Sequence, residues 1–262
     1  MIADSVNYRN ILENLEGQMN IVLAAVGFKN GDIKYNKEKI CKIISECNDK
    51  ADIIVFGETF LQGFDALSWN YEKDKSIAIE LESPIIEDIR KMAKEKCTAI
   101  CFGLVEKDKD SLYSSQLTIG ANGDIVDVFR RVSEGWKESC ADAHYKEGDS
   151  FHIFEYLNTK ISIGLCGDLW DEEYASHMKA LDADIVIWPV YTDFNFDEWN
   201  TTVKYEYAEQ AANCGNKVLY VNSVCLDRDE YEIARGGAAF FEEGKIIKEI
   251  PSGKESVLYV SL

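Results

Sequence analysis

Ile161-Ser162-Ile163-Gly164-Leu165-Cys166-Gly167-Asp168-Leu169-Trp170 lies where two kinds of local structure meet. Its first half is a short apolar run, which suits a strand covered on both faces. Cys166 ends that strand and precedes a turn. A helical stretch over residues 171–181 follows, then a second buried strand over residues 184–188. The same alternation recurs upstream. Residues 21–26 are continuously apolar. Residues 37–50 then place Ile40, Ile43, Ile44 and Cys47 on one helical face. A strand over residues 52–57 comes next. Ser83-Pro84 reads as an N-cap with proline in the first helical position, opening a helix that buries Ile86, Ile89 and Ala93. Residues 98–104 form the strand after it.

Hairpins interrupt this pattern. Residues 112–119 and 125–129 flank Asn122-Gly123, two residues that tolerate positive φ. Residues 238–241 and 246–249 flank Glu243-Gly244. Between the hairpins a helix over residues 198–213 stops before Gly215, a strand covers residues 217–222, and residues 257–260 close the chain. One domain over residues 20–262 is expected, preceded by an extension over residues 1–19. Two sheets, each covered by helices, would bury all of these strands. Periodicity alone does not separate that arrangement from other α/β architectures.

Composition narrows the partners. The 262 residues carry 47 acidic and 28 basic side chains, a formal net charge of −19 that repels nucleic acid phosphates and anionic lipid. Neither nucleic acid nor a membrane is expected as a partner. Residues 1–18 are polar, and no apolar run approaches the roughly 18 residues of a membrane span. The eight cysteines sit mostly in apolar or helical patterns and are expected to be reduced, in a cytoplasmic protein. No Cys-x-x-Cys or His-x-x-x-His pair occurs, so a zinc site is not expected. A Gly-rich phosphate loop and a Gly-x-Ser-x-Gly elbow are also missing.

Three segments are candidates for chemistry, because ligands gather beyond the carboxyl ends of strands in α/β folds. Glu58 follows four apolar residues, Ile53-Ile54-Val55-Phe56, and Gly57. Desolvation there favours the neutral carboxyl, which suits a general base. The alternative is a strand-end carboxylate bonded to loop amides. Cys166 is placed with its thiol at a turn, close to backbone N–H groups that stabilise a thiolate and later an oxyanion. The alternative is a core cysteine. Phe129-Arg130-Arg131-Val132-Ser133-Glu134-Gly135-Trp136-Lys137-Glu138 brings two arginines and a lysine to a strand end, where a fixed cation could stabilise an oxyanion. Solvated surface charge is the alternative. His144, His152 and His177 have no motif linking them to Cys166.

Together these segments resemble the nitrilase superfamily, the carbon–nitrogen hydrolases, from about Asn20 to the C-terminus. Phe56-Gly57-Glu58-Thr59-Phe60-Leu61-Gln62-Gly63-Phe64 is similar to the family's base-glutamate segment. Tyr113-Ser114-Ser115 through Asn122-Gly123 resembles its central hairpin. Gly164-Leu165-Cys166-Gly167-Asp168-Leu169-Trp170 resembles its nucleophile motif. Trp188-Pro189, Ala208-Glu209-Gln210, Val221-Asn222 and Gly236-Gly237 fall where the family has similar elements.

The resemblance implies a four-layer αββα sandwich that dimerises through the nucleophile side. It also implies a Glu–Lys–Cys triad with no metal or organic cofactor. Glu58 would be the base and Cys166 the nucleophile. The family's lysine follows an aromatic-Arg pair, and here that place reads Phe129-Arg130-Arg131. Lys137, six residues on, is expected to swing in and take the lysine role, with Glu138 as a second, positioning glutamate. Arg131 is the alternative cation. Gly167, Trp170 and Tyr191 complete the expected accessory set, and Trp69, Trp136 and Phe194 are candidate pocket walls. The substrate class implied is a small amide or carbamoyl compound. A glutaminase-type ammonia supplier to a partner enzyme is a second reading. A non-catalytic ligand-binding or scaffold protein of the same fold is a third.

Overall fold

The computed structural model describes residues 19–227 and 233–262. Apart from Met19, the expected extension over residues 1–19 lies outside the described residues. Strand β1 (Asn20–Ala25) shows how the layers arise. Ile21, Leu23 and Ala25 point into one core and Val22 and Ala24 into another, because strand side chains alternate. The strand is therefore buried on both faces, and an unbroken apolar run is what such a position needs.

After β1 and the two-residue β2 (Gly27–Phe28) come α1 (Ile33–Cys47), β3 (Ile53–Phe56), α2 (Pro84–Lys96) and β4 (Ala99–Asp108). The strands β1, β3 and β4 are parallel neighbours, with α1 and α2 as their crossovers. β5 (Ser111–Ile119) and β6 (Ile125–Arg130) continue the sheet antiparallel, and β14 (Ser256–Ser261) closes its other edge against β1. The second sheet comprises β7 (Ile153–Tyr156), β8 (Thr159–Ile163), β9 (Ile185–Val190), β10 (Lys217–Asn222), β12 (Ala238–Glu242) and β13 (Lys245–Ile250). Its order is β13-β12-β10-β9-β8-β7, and that of the first is β14-β1-β3-β4-β5-β6. Read from β14 and from β7, both sheets run antiparallel, parallel, parallel, antiparallel, antiparallel. β11 (Val224–Cys225) pairs with β2 outside both sheets.

Three cores follow. Ile54, Phe56, Ile100 and Phe102 meet α1 and α2 through Ile40, Ile44, Ile86 and Ile89. Ile53, Val55 and Cys101 meet Ile161, Ile163, Ile187 and Leu219 between the sheets. Val186, Trp188, Val218 and Tyr220 meet α3 (Glu172–Ala180) and α4 (Lys204–Cys214). The architecture is the expected αββα sandwich.

The elements fall close to their sequence signals. Ser83 caps α2, accepting a hydrogen bond from the Ile86 amide at 3.5 Å, with Pro84 in the first turn. Three boundaries differ usefully. α1 begins at Ile33, upstream of the expected 37. The helix expected over residues 198–213 is divided into a π-type turn, Trp199–Val203, and α4. The strand expected to end at Cys166 stops at Ile163, and Cys166 opens a 3-10 turn, Cys166–Leu169. β7, four residues long, has no expectation in the sequence.

Among the described residues no helix is long and apolar enough to cross a membrane. All eight cysteines are free.

Candidate active site

The ends of β3, β6, β8 and β9 converge. The Glu58 amide donates to the Val190 carbonyl at 3.3 Å, so the first sheet is stitched to the last residue of β9. The Cys166 thiol lies 3.6 Å from the next carbonyl, that of Tyr191. Two residues 108 positions apart thus sit on consecutive carbonyls of one strand end.

Glu58 reaches this place through a tight approach of backbone to backbone. A Cβ on Gly103 of β4 would come within 2.1 Å of the Thr59 nitrogen and 2.6 Å of the Glu58 carbonyl carbon. Only glycine leaves that space. The Glu58 side chain is 1% exposed. Its Oε1 accepts from Ser114 Oγ at 2.9 Å and from Arg131 Nη1 at 3.0 Å. Its Oε2 is buried with no hydrogen-bond partner among the described residues. Leaving a buried acceptor open costs about 1–3 kcal/mol, so the open oxygen calls for an explanation in chemistry.

Cys166 has a left-handed backbone, φ 44°, which costs a β-substituted residue of order 1–3 kcal/mol and clusters at functional sites. The Trp188 indole holds the turn by donating to the Cys166 carbonyl at 2.8 Å. Burial pushes the Cys166 thiol up to about 12; the Glu58 charge adds to the rise and the Arg131 charge opposes it. At neutral pH the sulfur is a thiol.

The cation beside them is Arg131. Burial opposes its charge, but Glu58, the Cys166 sulfur and the Asp168 carboxylate raise its pKa overall. Nη1 pairs with Glu58, and Nε donates to Ser133 Oγ at 2.9 Å. Lys137, expected to swing in, is held elsewhere. Its ammonium is 2.5 Å from Glu147 Oε1 and donates to the Tyr145 carbonyl at 3.3 Å. The physical reason is that a nearby carboxylate satisfies Lys137, while Glu58 is already paired with Arg131 through Nη1. Glu138 is exposed and is not brought to the site.

Asp168 joins the nucleophile turn to the arginine loop. It is fully buried, its Oδ1 accepts from the Val132 and Ser133 amides at 3.2 and 2.8 Å, and its Oδ2 accepts from the Leu165 amide at 2.9 Å. Burial raises its pKa to about 6 against the pull of Arg131 and those donors.

Around this centre the expected aromatic residues divide into two groups. Tyr191 stacks on Phe64 at 5.4 Å, Phe64 meets Trp69, and Trp69 meets Trp136 and Tyr145. The Tyr191 hydroxyl donates to Asp65. On the other side Trp170 and Phe194 set their edges against Tyr207 at 4.8 and 6.2 Å. The sequence reading missed the Ser114 bond, the room made by Gly103 and the clamp at Asp168. An inward serine two strands away carries no local signal. The Cys-x-Asp spacing did hold Asp168 in view. Among the described residues no three His, Cys, Asp or Glu side chains gather as a metal site would.

A carboxylate with an open oxygen, a thiol and a fixed cation are the parts that attack by sulfur on an acyl carbon and stabilisation of an oxyanion require. This fold and its relatives mark an amidase-like member of the nitrilase superfamily, a hydrolase of carbon–nitrogen bonds other than peptide bonds. Residues 17–262 match the family described as carbon-nitrogen hydrolase, and the chain belongs to it.

An (R)-stereoselective amidase of a Pseudomonas species is 22% identical over 92% of this chain and 84% of its own length. A probable nitrilase of Schizosaccharomyces pombe is 25% identical over 91% and 86%. A glutamine-dependent NAD(+) synthetase of Aquifex aeolicus is 23% identical over 93% of this chain, which spans only 42% of that protein. Among solved structures, an amidase of Nesterenkonia sp. AN1, a glutamate-to-glutamine mutant bearing the product of acrylamide addition at its active-site cysteine, superposes with a TM-score of 0.73. That match has 15% identity and covers 93% of each chain.

Proposed function

We propose that the protein hydrolyses a small amide or carbamoyl compound through a thioester on Cys166, with Glu58 as general base and Arg131 as the oxyanion-binding cation. The observation that carries this reading is the open Oε2 of Glu58, buried beside a thiol whose pKa is pushed up to about 12. At pH 7 only about one such thiol in 10⁵ is ionised, so attack needs a base at the moment of reaction. Glu58 takes the thiol proton as sulfur bonds to the acyl carbon. The carbonyl electron pair becomes an oxyanion beside Arg131. When the oxyanion collapses, the carbon–nitrogen bond breaks and protonated Glu58 gives its proton to the leaving nitrogen. Glu58 then takes a proton from water, which attacks the thioester, and Cys166 leaves as the thiol. An arginine does not release its proton, so with Arg131 in place of lysine every proton passes through Glu58.

Gly167, Trp170 and Tyr191 belong to this reading as the walls of the site. A homodimer and a cytoplasmic location complete it, supported by the family resemblance and by eight free cysteines.

A screen for ammonia release across amides, carbamoyl amines and nitriles is the direct test. Turnover of an amide or carbamoyl amine, lost in Cys166→Ala, is expected. Hydrolysis surviving that substitution overturns the mechanism, and a chain that neither turns over nor forms an adduct at Cys166 is the scaffold protein instead. The similarity to glutamine-dependent NAD(+) synthetases favours a second reading, an ammonia supplier, in which glutamine is the substrate turned over.

A further inference from the structure

Arginine reaches further than lysine and ends in a flat, three-nitrogen head, so a site built for one does not seat the other without adjustment. In this protein the adjustment is visible. The guanidinium is tied at Nη1 to Glu58 and at Nε to Ser133. Its third nitrogen, Nη2, faces two glycines: a Cβ on Gly167 would stand 2.6 Å from it, and one on Gly135 4.0 Å. Gly167 is not in the left-handed region of backbone space, where Gly31, Gly63 and Gly123 are. Any residue could therefore adopt its backbone. What glycine supplies at 167 is space.

We propose that Gly167 is a positioning residue matched in size to arginine at 131, setting where the guanidinium stands relative to Cys166 and the substrate carbonyl. This rests on the reading of Arg131 as the oxyanion-binding cation. The guanidinium has little freedom to step aside from a methyl group. Its neighbours Val132 and Ser133 are pinned through their amides to Asp168, itself one residue after Gly167. A Cβ at 167 would push Nη2 outward and break the pairing of Nη1 with Glu58. In the chain order Cys166-Gly167-Asp168, the residue that attacks is followed by one that makes room for the cation and one that anchors the cation's loop.

The test is a double-mutant cycle of Gly167→Ala and Arg131→Lys. It is read by kcat and KM on an amide the enzyme hydrolyses, by the rate of Cys166 alkylation at pH 9, and by thermal melting. Gly167→Ala alone is expected to lower kcat by about 30- to 100-fold, as a misplacement near 1 Å does. KM should change little and melting should be close to wild type. In the Arg131→Lys background, where Nη2 no longer exists, the same substitution is expected to change kcat by less than about 3-fold.

Alkylation reads the same non-additivity even where Arg131→Lys turns over too slowly to assay. Gly167→Ala slows alkylation with Arg131 present and leaves it unchanged when combined with Arg131→Lys. Equal losses in both backgrounds, or none in either, overturn the matched pair. Full activity in Arg131→Ala would instead sink the reading of Arg131 itself, so the two failures are distinct.

Discussion

Glu58→Gln should abolish hydrolysis and yet make Cys166 easier to alkylate. In the resting enzyme the thiol is held up to about 12 by burial first and by the Glu58 charge second, with Arg131 opposing both. Glutamine keeps the shape and an acceptor for Ser114 and Arg131 but removes the negative charge. Arg131 then lowers the thiol pKa against burial and the weaker Asp168 charge alone. Losing a close like charge lowers a pKa by about 1–3. At pH 8 the thiolate fraction rises by roughly 10- to 1000-fold. A less basic thiolate is a poorer nucleophile, with a Brønsted slope of about 0.4–0.5, which returns part of the gain. The net expectation is an alkylation rate about 3- to 60-fold above wild type. Hydrolysis should meanwhile fall by at least about 10²-fold through loss of the base. The assay is mass-spectrometric labelling of Cys166 by acrylamide across pH 7–9, beside ammonia release and a melting curve. Slower labelling than wild type, in a variant that melts normally, would refute the reasoning: Glu58 would then be generating the resting thiolate and not opposing it.

Lys137→Ala should retain turnover within about 3-fold while Arg131→Ala loses it by about 10²–10³-fold, as removal of an oxyanion donor does; steady-state kinetics on one amide decides between them. Asp74 is 1% exposed and accepts from the Ser68 and Trp69 amides, the Ser68 hydroxyl and the Tyr145 hydroxyl, tying the two loops that carry the Trp69 and Trp136 wall. Asp74→Ala should cost about 2–4 kcal/mol in urea unfolding and Tyr145→Phe about 1–2, with KM rising in both. Asp168 adds a pH signature, since its pKa is raised to about 6 by burial. Protonation removes an acceptor from the loop amides, so kcat should fall below pH 6, and Asp168→Asn should lack that limb. The stability sign is the reverse. A raised carboxyl favours the fold in full below its ordinary value near 3.9 and loses that contribution as pH rises through about 6. The melting difference between wild type and Asp168→Asn should therefore change in that window.

Local chemistry made much of this protein legible in advance. Residues 21–26, 53–56 and 218–221 are apolar throughout because their strands are covered on both faces, and no partner needs to be known to see it. Ser83-Pro84 and Asn122-Gly123 work through torsions and caps confined to a few residues, so they read correctly from the chain. β7 escaped because four residues with one buried side chain are too short to show a period.

Cys166 and Glu58 were candidates because each lies just beyond an apolar strand, where such folds place ligands, and the resemblance to the carbon–nitrogen hydrolases implied their roles. Which cation joins them was decided only in three dimensions. Lys137 and Arg131 are six residues apart and carry the same charge, so local pattern cannot rank them. The placement depends on Glu147 lying beside Lys137, and on Glu58 and Ser133 bonding the guanidinium of Arg131 while Gly167 leaves room for it. Periodicity and capping act over one or two turns of chain, and they placed most of the strands and helices; the family resemblance, not local pattern, implied the four layers and pointed to Cys166 and Glu58. Charge pairing and room act between segments brought together by folding, and they place Arg131 rather than Lys137 beside Glu58.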